Sequence, residues 1–280
     1  MAESYPRSLR GTAMLSSSRP LLLAAVLALA PCAAYAGPAW DEIRASVFAD
    51  RAIAPAGDVV QLNAPFRPQD QRAVPIEVDV KFAGGHSVRA ITLIVDENPS
   101  PVAARFDFDG RREHVHLATR LRLNAATDVR AIVEASDGQL YMAERHVRFA
   151  GGQAACSAPP SGSPEEIAAT MGRMTLEAIG TRTAATQIEP RAQLKIMHPN
   201  HTGMVLDQLT LLYVPLRILT DVEVRQGDER VFAMQGSITM AQDPVIEFDY
   251  RSNGADALHV EARDSDGASW AARFPVGEGS

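Results

Sequence analysis

Cys156 is the residue whose chemistry most narrows the possible functions of this chain. The sequence contains two cysteines, and the other, Cys32, lies in a segment with the pattern of a removed export signal. An odd cysteine in an exported protein has no internal partner and indicates a free thiol or an intermolecular disulfide. Residues 151–162 are mostly Gly, Ala, Ser and Pro, which predicts an accessible thiol on a flexible tether. Such a thiol could carry a group covalently, and an incidental exposed thiol is the alternative.

Four histidines form two further candidate sites. His114 and His116 are spaced so that both imidazoles face one side of a strand, where they could bind copper or zinc. No nearby carboxylate or cysteine in the sequence supplies a third ligand, so a solvated strand face is the favoured interpretation and no metal is assigned. His198 and His201 belong to a His-Pro-Asn-His segment, which is interpreted as a structural turn after a strand.

The sequence lacks the common catalytic signatures. It has no Gly-rich phosphate loop, no Gly-x-Ser-x-Gly elbow, no His-Glu-x-x-His pair and no cysteine zinc pattern. Carboxylates such as Asp107, Asp109 and Glu113 are scattered and have no motif spacing. The sequence therefore predicts a protein that is not an enzyme and has no cofactor of its own.

The formal net charge is −7 at pH 7. Nucleic acid phosphates attract a basic surface, so an acidic chain of this kind argues against nucleic acid as a partner. Charge alone does not select a protein partner.

The first 36 residues have the three parts of a secretory signal. Three arginines precede an apolar run over residues 21–30, and the Ala-x-Ala motif at 34–36 predicts cleavage before Gly37. The run is shorter than the roughly 20 residues that span a bilayer, and no second long apolar run follows, so no membrane span is predicted. Lipidation at Cys32 is disfavoured because Pro31 precedes it.

The first half of the mature chain is predicted to be a β-sandwich. A short amphipathic helix is expected from the spacing of Trp40, Ile43 and Val47, and the alternation of apolar and polar residues over 74–81 predicts a half-buried strand. Further strands are predicted at 91–95, 106–108, 114–117, 119–123, 129–134 and 141–149. Asp137-Gly138 predicts a hairpin turn before the last strand. Many short strands between turn residues are typical of a sandwich.

The composition changes between the halves. Residues 151–164 are rich in Gly, Ala, Ser and Pro, which predicts a linker. Ser163, Pro164 and Glu166 have the pattern of a helix start with a capping box. Apolar residues at 167, 171, 174 and 178 extend this predicted helix toward Gly180, and the methionines among them are interpreted as core residues rather than metal ligands.

The second half is predicted to be another sandwich. Its strands are expected at 194–197, 208–212, 218–225, 230–234, 245–250, 257–263 and 270–274. Asp266-Gly267 precedes the final strand as Asp137-Gly138 does in the first half. This parallel indicates either a distant internal duplication or a common hairpin chemistry.

Segments of both halves resemble the two subunits of a bacterial sulfur-oxidation carrier. The first half resembles SoxY at 74–78, 98–103, 119–123, 127–131, 136–141 and 151–152. The second half resembles SoxZ at 198–204 and at the turn 264–267. Together the halves resemble the fused SoxYZ-like carriers associated with quinoprotein dehydrogenases.

This resemblance implies an all-β fold of two immunoglobulin-like sandwiches, residues 37–152 and 186–280, in contact with each other. Residues 153–185 would join them as a flexible linker with Cys156 and a short helix. The resemblance also implies a periplasmic location. In the family a cysteine within a Gly-Gly-Cys-Gly-Gly arm holds the sulfur substrate, and that role falls here on Cys156. The flanking residues are instead Ala155 and Ser157, and the arm is tethered at both ends, so a shorter reach is expected.

Two functions follow as hypotheses. The first is a periplasmic carrier that holds a small thiol-linked sulfur group on Cys156 and presents it to partner redox enzymes. The second is a non-catalytic adaptor for a periplasmic quinoprotein (PQQ) alcohol dehydrogenase system, in which Cys156 is incidental. Replacing Cys156 by Ser separates the two. A metal-binding protein that uses His114 and His116 is a third class.

Overall fold

The computed structural model describes residues 38–148, 151, 154–184 and 187–276. The predicted export signal and Cys32 therefore lie outside the described residues. The first half contains α1 (Pro38–Phe48), β1 (Ile53–Pro55), β2 (Val60–Asn63), β3 (Val74–Lys81), β4 (Val88–Val95), β5 (Val102–Asp107), β6 (His114–Leu121), β7 (Thr127–Ala135) and β8 (Leu140–Val147).

A short 3-10 turn (Ala155–Ser157) and α2 (Pro164–Thr170) connect the halves. The second half contains β9 (Met174–Ala184), β10 (Gln187–Ile196), β11 (Leu219–Gln226), β12 (Glu229–Gly236), β13 (Val245–Asp249), β14 (Ala257–Asp264) and β15 (Ser269–Pro275). The fold is all-β with two immunoglobulin-like domains, as the sequence predicts. Within the described ranges, no helix is long and apolar enough to cross a membrane.

The two halves share both of their sheets. One sheet has the order β1-β8-β7-β4-β5-β12-β11-β14-β15, and the other has the order β2-β3-β6-β13-β10-β9. The halves meet where β5 pairs with β12, with Phe106 opposite Met234, and where β6 pairs with β13, with Thr119 opposite Ile246. Backbone hydrogen bonds therefore join the two sandwiches edge to edge, and these edge strands are no longer exposed for pairing with other chains.

The hydrophobic core is also continuous across the halves. A cluster of buried apolar side chains contains residues from both sandwiches. At its centre the ring of Phe232 lies 5.8 Å from that of Phe106 and 5.1 Å from that of Phe248, both in edge-to-face geometry. Aromatic pairs of this kind add stability beyond the area they bury. The contact between the domains is thus a core contact rather than a surface contact.

The sequence periodicity is confirmed where one face of an element is buried. In β3 the residues Val74, Ile76, Val78 and Val80 are all buried, and the residues between them are half-buried or exposed. In α1 the side chains of Trp40 and Ile43 are buried, as the helical spacing predicts, but Val47 is 41% exposed and the buried position falls on Phe48 instead. The Asp137-Gly138 and Asp266-Gly267 turns each connect a hairpin, β7 to β8 and β14 to β15.

The predicted helix from Ser163 through residue 178 is wrong in its second half. Ser163 does form the capping box with Glu166, but the helix ends at Thr170. Gly172 then takes a left-handed conformation with φ of +77°, which only glycine adopts without strain. Met174 begins β9, which pairs with β10 along its whole length. β9 therefore lies inside the segment 153–185 that was expected to be a linker. Pairing with β10, rather than the local spacing of apolar residues, decides the structure of this segment.

The predicted strand at 208–212 is also wrong. The carboxylate of Asp207 accepts hydrogen bonds from the backbone N–H groups of Leu209 and Thr210, at 2.9 and 2.7 Å. These bonds fold the chain into a tight turn that is incompatible with a strand. A single bridge between Leu206 and Tyr213 closes the resulting hairpin.

Candidate functional site

The thiol of Cys156 is buried, and the prediction of an exposed thiol on a flexible arm is wrong. Cys156 lies in the 3-10 turn, its side chain is 0% exposed and it is a free cysteine. Ala155 beside it is 2% exposed. The small residues that suggested mobility instead let the turn fit closely into the junction of the two domains.

Side chains from both domains hold the backbone of this turn. The N–H of Cys156 donates to Oδ1 of Asn124 at 2.8 Å, and the hydroxyl of Thr202 donates to the carbonyl oxygen of Cys156 at 2.5 Å. Asn124 is itself fixed because its N–H donates to Oδ1 of Asn98 at 2.9 Å. Asn124 belongs to the first half and Thr202 to the second, so the position of Cys156 depends on both.

Arg122 is a buried cation next to the thiol. Its guanidinium donates to the carbonyl oxygens of Ile238 at 3.1 Å, Met240 at 2.7 Å and Pro199 at 3.3 Å. Among the described residues, no carboxylate lies within 4.0 Å of it. Burial lowers the pKa of Arg122 to about 10, and the nearby Cys156 acts in the opposite direction. A buried guanidinium without a carboxylate partner is uncommon, because its desolvation is normally compensated by an ion pair.

The same environment keeps the thiol in its protonated form. Burial raises the pKa of Cys156, and the charge of Arg122 opposes this only in part. The thiolate is the nucleophile in sulfur chemistry, so a buried thiol with a raised pKa is unreactive. This arrangement, with the thiol of Cys156 buried, is called the closed state of the turn.

An apolar groove borders the turn. It has a volume of about 950 Å³, and its lining includes Pro159 and Pro160 of the turn together with Met171, Met204 and Tyr213. The hairpin of residues 203–217 forms one wall. This hairpin exposes large apolar side chains, namely Leu209 at 94%, Leu211 at 69%, Leu212 at 68% and Tyr213 at 66%. Exposed apolar clusters of this kind mark contact surfaces in soluble proteins.

The family model described as "Sulfur oxidation protein SoxY" matches residues 44–154, and the model described as "Sulphur oxidation protein SoxZ" matches residues 181–275. This chain is a fused SoxYZ-like protein. The SoxY match ends just before Cys156, and the SoxZ match begins inside β9. The turn and α2 therefore lie between the two family domains.

Solved structures similar to this SoxYZ-like protein include the sulfur carrier protein SoxY from Chlorobium limicola f thiosulfatophilum. It is 25% identical, covers 39% of this chain and 90% of its own, and has a TM-score of 0.34. Two superoxide reductases (neelaredoxins) from Ignicoccus hospitalis are 20% and 18% identical with TM-scores of 0.27, and they cover 32% and 39% of this chain and 78% and 90% of their own. No curated protein matches the chain.

The His198–His201 segment of the SoxZ domain is a structural turn, as predicted. The imidazole of His198 is buried, and its Nδ1 lies 2.9 Å from Oδ1 of Asn200. Burial lowers the pKa of His198, as it does that of His201. Asn200 has a positive φ of 46° and its amide donates to the carbonyl of Ala241 at 2.8 Å. The turn matters for the site because it places Thr202 against Cys156.

The structure does not bring His114 and His116 together as a ligand pair. His116 is buried, and its Nδ1 lies 2.9 Å from Asp79 and 3.8 Å from Glu77, both on β3. The interpretation as a solvated face is therefore wrong for His116. The pKa of Asp79 is lowered chiefly by its hydrogen bond with His116. Glu77, Asp79 and His116 are close enough to share an ion, but the His116–Asp79 bond already accounts for their arrangement.

Sequence reasoning missed Arg122, Asn124 and Thr202. Arg122 and Thr202 lie within the segments 119–123 and 198–204 that resemble SoxY and SoxZ, so the signal was present without a role attached. Asn124 carried no signal, because its contact with Cys156 spans 32 positions of sequence. The exposed hairpin was missed because the apolar residues at 208–212 were interpreted as a strand.

Proposed function

We propose that this SoxYZ-like protein is a non-enzymatic periplasmic carrier that holds a small sulfur group on Cys156 and presents it to partner redox enzymes. One observation carries the proposal. The free cysteine of the described chain lies on a short turn between two sulfur-oxidation domains, and side chains of both domains hold it. A carrier needs a thiol that the protein can both shield and release, and a turn at a domain junction meets this need.

Loading requires the turn to open. In the closed state it is held by the bonds of Cys156 to Asn124 and Thr202 and by a reciprocal pair between Ser161 and Gln242, at 2.8 and 2.9 Å. Each neutral hydrogen bond contributes about 0.5–1.5 kcal/mol, and opening also exposes the two small buried side chains of Ala155 and Cys156. Once exposed, the thiol loses its desolvation, and its pKa returns toward the ordinary range.

The chemistry of loading defines the partner. When thiosulfate joins the thiol through a new sulfur–sulfur bond, the thiol proton and two electrons leave. The partner must therefore be an oxidant that takes up these two electrons. The apolar groove and the hairpin of residues 203–217 provide a contact surface for this partner directly beside the turn.

The test is the intact mass of the mature protein from its own periplasm, measured before and after reduction. The proposal expects a reducible adduct that maps to Cys156 and is absent from the Cys156→Ser variant, and the added mass would identify the cargo. A clean free thiol from actively respiring cells would contradict the proposal. A reducible doubling of the mass would instead assign Cys156 to an intermolecular disulfide.

A second candidate function is an adaptor for a quinoprotein dehydrogenase. The burial of Cys156 together with the exposed apolar hairpin favours this candidate, because such a protein would need the contact surface and not the thiol. The Cys156→Ser variant would then keep full function in cells, whereas replacement of exposed hairpin leucines would abolish it. A carrier would lose function in both variants.

A further inference from the structure

A second cavity borders the Cys156 turn, at the end of the six-stranded sheet. It has a volume of about 200 Å³. One wall is the turn itself, through Ala155, Ala158, Pro159 and Pro160. The rest of the lining includes charged side chains from both domains, namely Asp70, Arg72, Arg120, Arg122, Lys195 and Asp243.

The charges in this cavity are not balanced. Arg72 is neutralised by Asp70, with three hydrogen bonds of 2.9 to 3.2 Å. Asp243 accepts the backbone N–H of His198 at 2.9 Å and forms no ion pair within the described chain. Arg120, Arg122 and Lys195 have no carboxylate within 4.0 Å in the same part of the chain. The lining therefore keeps a net positive charge.

Arg122 has unused donors as well as unbalanced charge. A guanidinium has five N–H donors, and three of those of Arg122 are taken by backbone carbonyls. The remaining two have no acceptor among the described residues, although the side chain is 6% exposed. Neither donor belongs to a fully buried unpartnered atom, so an anion in the cavity can reach both and form charge-assisted hydrogen bonds.

The size and lining of the cavity narrow the class of ligand. At about 30 Å³ for each water molecule, the volume holds roughly six waters, which suits a small oxyanion and excludes a nucleotide. The lining combines a set of charged side chains with a net positive charge and the alanines and prolines of the turn. Thiosulfate has a charged sulfonate end and a soft sulfur end that tolerates an apolar wall, whereas all four oxygens of phosphate would lose hydration.

The geometry points to a non-covalent binding site for a small sulfur oxyanion, thiosulfate in particular, between the Cys156 turn and the cations Arg120, Arg122 and Lys195. The preference for sulfur over phosphate rests on the proposed carrier function and on the apolar wall. The anion site itself rests on the unbalanced charges and on the two remaining donors of Arg122. Because the turn is one wall, the site is complete only when the turn is closed, so a bound anion stabilises the closed state by linkage.

Two measurements test this inference. The first is calorimetric titration of the mature Cys156→Ser protein with thiosulfate, sulfate and phosphate, at an ionic strength held constant with chloride. The second is the rate at which iodoacetamide alkylates Cys156 in the otherwise wild-type protein, with and without thiosulfate. Arg120→Gln combined with Lys195→Gln removes two cations at the rim and leaves the buried Arg122 in place. Arg44→Gln combined with Arg89→Gln is the control, because these exposed arginines lie outside the cavity.

The inference expects saturable binding of thiosulfate, tighter than that of phosphate. Binding should weaken by at least about tenfold in the rim variant, since a hydrogen bond to a charged group contributes about 1.5–3 kcal/mol, and should be unchanged in the control. Thiosulfate should slow alkylation, and the rim variant should lose this protection. Absence of saturable binding, or equal binding by the rim and control variants, would overturn the site. Equal or tighter binding of phosphate would overturn the assignment to sulfur.

The two proposals fail separately. If thiosulfate binds as expected but no adduct forms on Cys156 in cells, the carrier function fails and the anion site stands. If the adduct forms but thiosulfate shows no saturable binding to the Cys156→Ser protein, the carrier function stands and the anion site fails.

Discussion

The hydroxyl of Thr202, in the SoxZ domain, donates a 2.5 Å hydrogen bond to the carbonyl oxygen of Cys156, just beyond the SoxY match. This bond links the closed state of the turn to the contact between the domains. Fusion of SoxY and SoxZ in one chain keeps the two sides of this bond at a high effective concentration. The thiol is thus shielded by the same junction that assembles the protein.

Removal of this hydroxyl should release the turn. Thr202→Val keeps the size of the side chain but loses the bond to Cys156, so the alkylation rate of Cys156 by iodoacetamide should rise roughly two- to tenfold, as a neutral hydrogen bond of about 0.5–1.5 kcal/mol implies. Thr220→Val is the matched control, because Thr220 donates to a carbonyl oxygen on the exposed surface, at 3.3 Å from Arg263. Equal alkylation rates in wild type and Thr202→Val would show that the bond does not restrain the turn.

The hairpin of residues 203–217 should matter for function and not for stability. Leu209 and Leu212 are 94% and 68% exposed, so Leu209→Ser with Leu212→Ser should change the free energy of unfolding by no more than about 0.5 kcal/mol per site. The fraction of Cys156 that carries an adduct in periplasmic protein should fall sharply, as measured by intact mass. Val47→Ser, on the exposed side of α1 at 41% exposure, is the control. An unchanged adduct fraction in the hairpin variant would exclude the hairpin as the partner surface.

A buried ion cluster should be essential to the junction. Asp249 is 0% exposed and pairs with Arg112 of the first half and Arg182 of the second, and it also accepts the N–H of His116 at 3.0 Å. Asp249→Asn leaves Glu189 as the one carboxylate shared by the two buried guanidinium groups, so it should lower the free energy of unfolding in urea by about 3–5 kcal/mol. Asp256→Asn removes an ion pair from a side chain that is 83% exposed, and it should have little effect. Similar losses in both variants would argue against this role.

The two domains should unfold together. Each contains one of the two tryptophans, Trp40 in the first half and Trp270 in the second. Because β5 pairs with β12 and β6 with β13, the domains share sheets and core. Trp40→Phe and Trp270→Phe each leave a single reporter, and fluorescence should follow the same urea dependence as far-ultraviolet circular dichroism in both. A fluorescence transition that precedes the loss of β structure in either variant would show that the domains unfold independently.

The sequence predicts the strands of this protein better than its junction. Strands such as β3 are predictable because one face is buried and the alternation is local. The pairing of Phe106 with Met234 leaves no local trace, because the two residues lie in different halves of the chain. The first residues of β9 are predicted as helix because Met171, Met174 and Ala178 have a helical spacing. That spacing does not reflect a buried helix face in the structure.

The candidate site shows the same division. Cys156 could be singled out from cysteine count and composition, but its burial could not. Its cover comes from Asn124 and Thr202, which are distant in sequence and meet only after the two sheets have joined. A segment of Gly, Ala, Ser and Pro is flexible when water surrounds it, but it packs closely when the folded protein offers a space of matching shape. Sequence alone does not distinguish these cases.

Stability should fall as the pH drops below about 6.5, because burial lowers the pKa of His198 in the folded protein. The unfolded chain binds a proton near pH 6.5, whereas the folded chain holds His198 neutral to lower pH. The stability is therefore fully present above 6.5 and is lost as the pH falls toward the folded pKa, by up to about 1.4 kcal/mol at pH 5.5 for each such histidine. His201, whose pKa is also lowered, adds to the effect. Carboxylates with lowered pKa, such as Asp264, act only near pH 4 and below.

Urea unfolding at pH 7.5 and 5.5 measures this loss. His198→Gln should lower stability at both values, because its buried contacts are removed, but it should reduce the difference between them. His259→Gln is the control, since His259 lies on the exposed face of β14 and its replacement should leave the difference as in wild type. If His198→Gln kept the full pH dependence, the loss would have to come from other groups, and the neutral imidazole of the His198–Asn200 turn would not be the source.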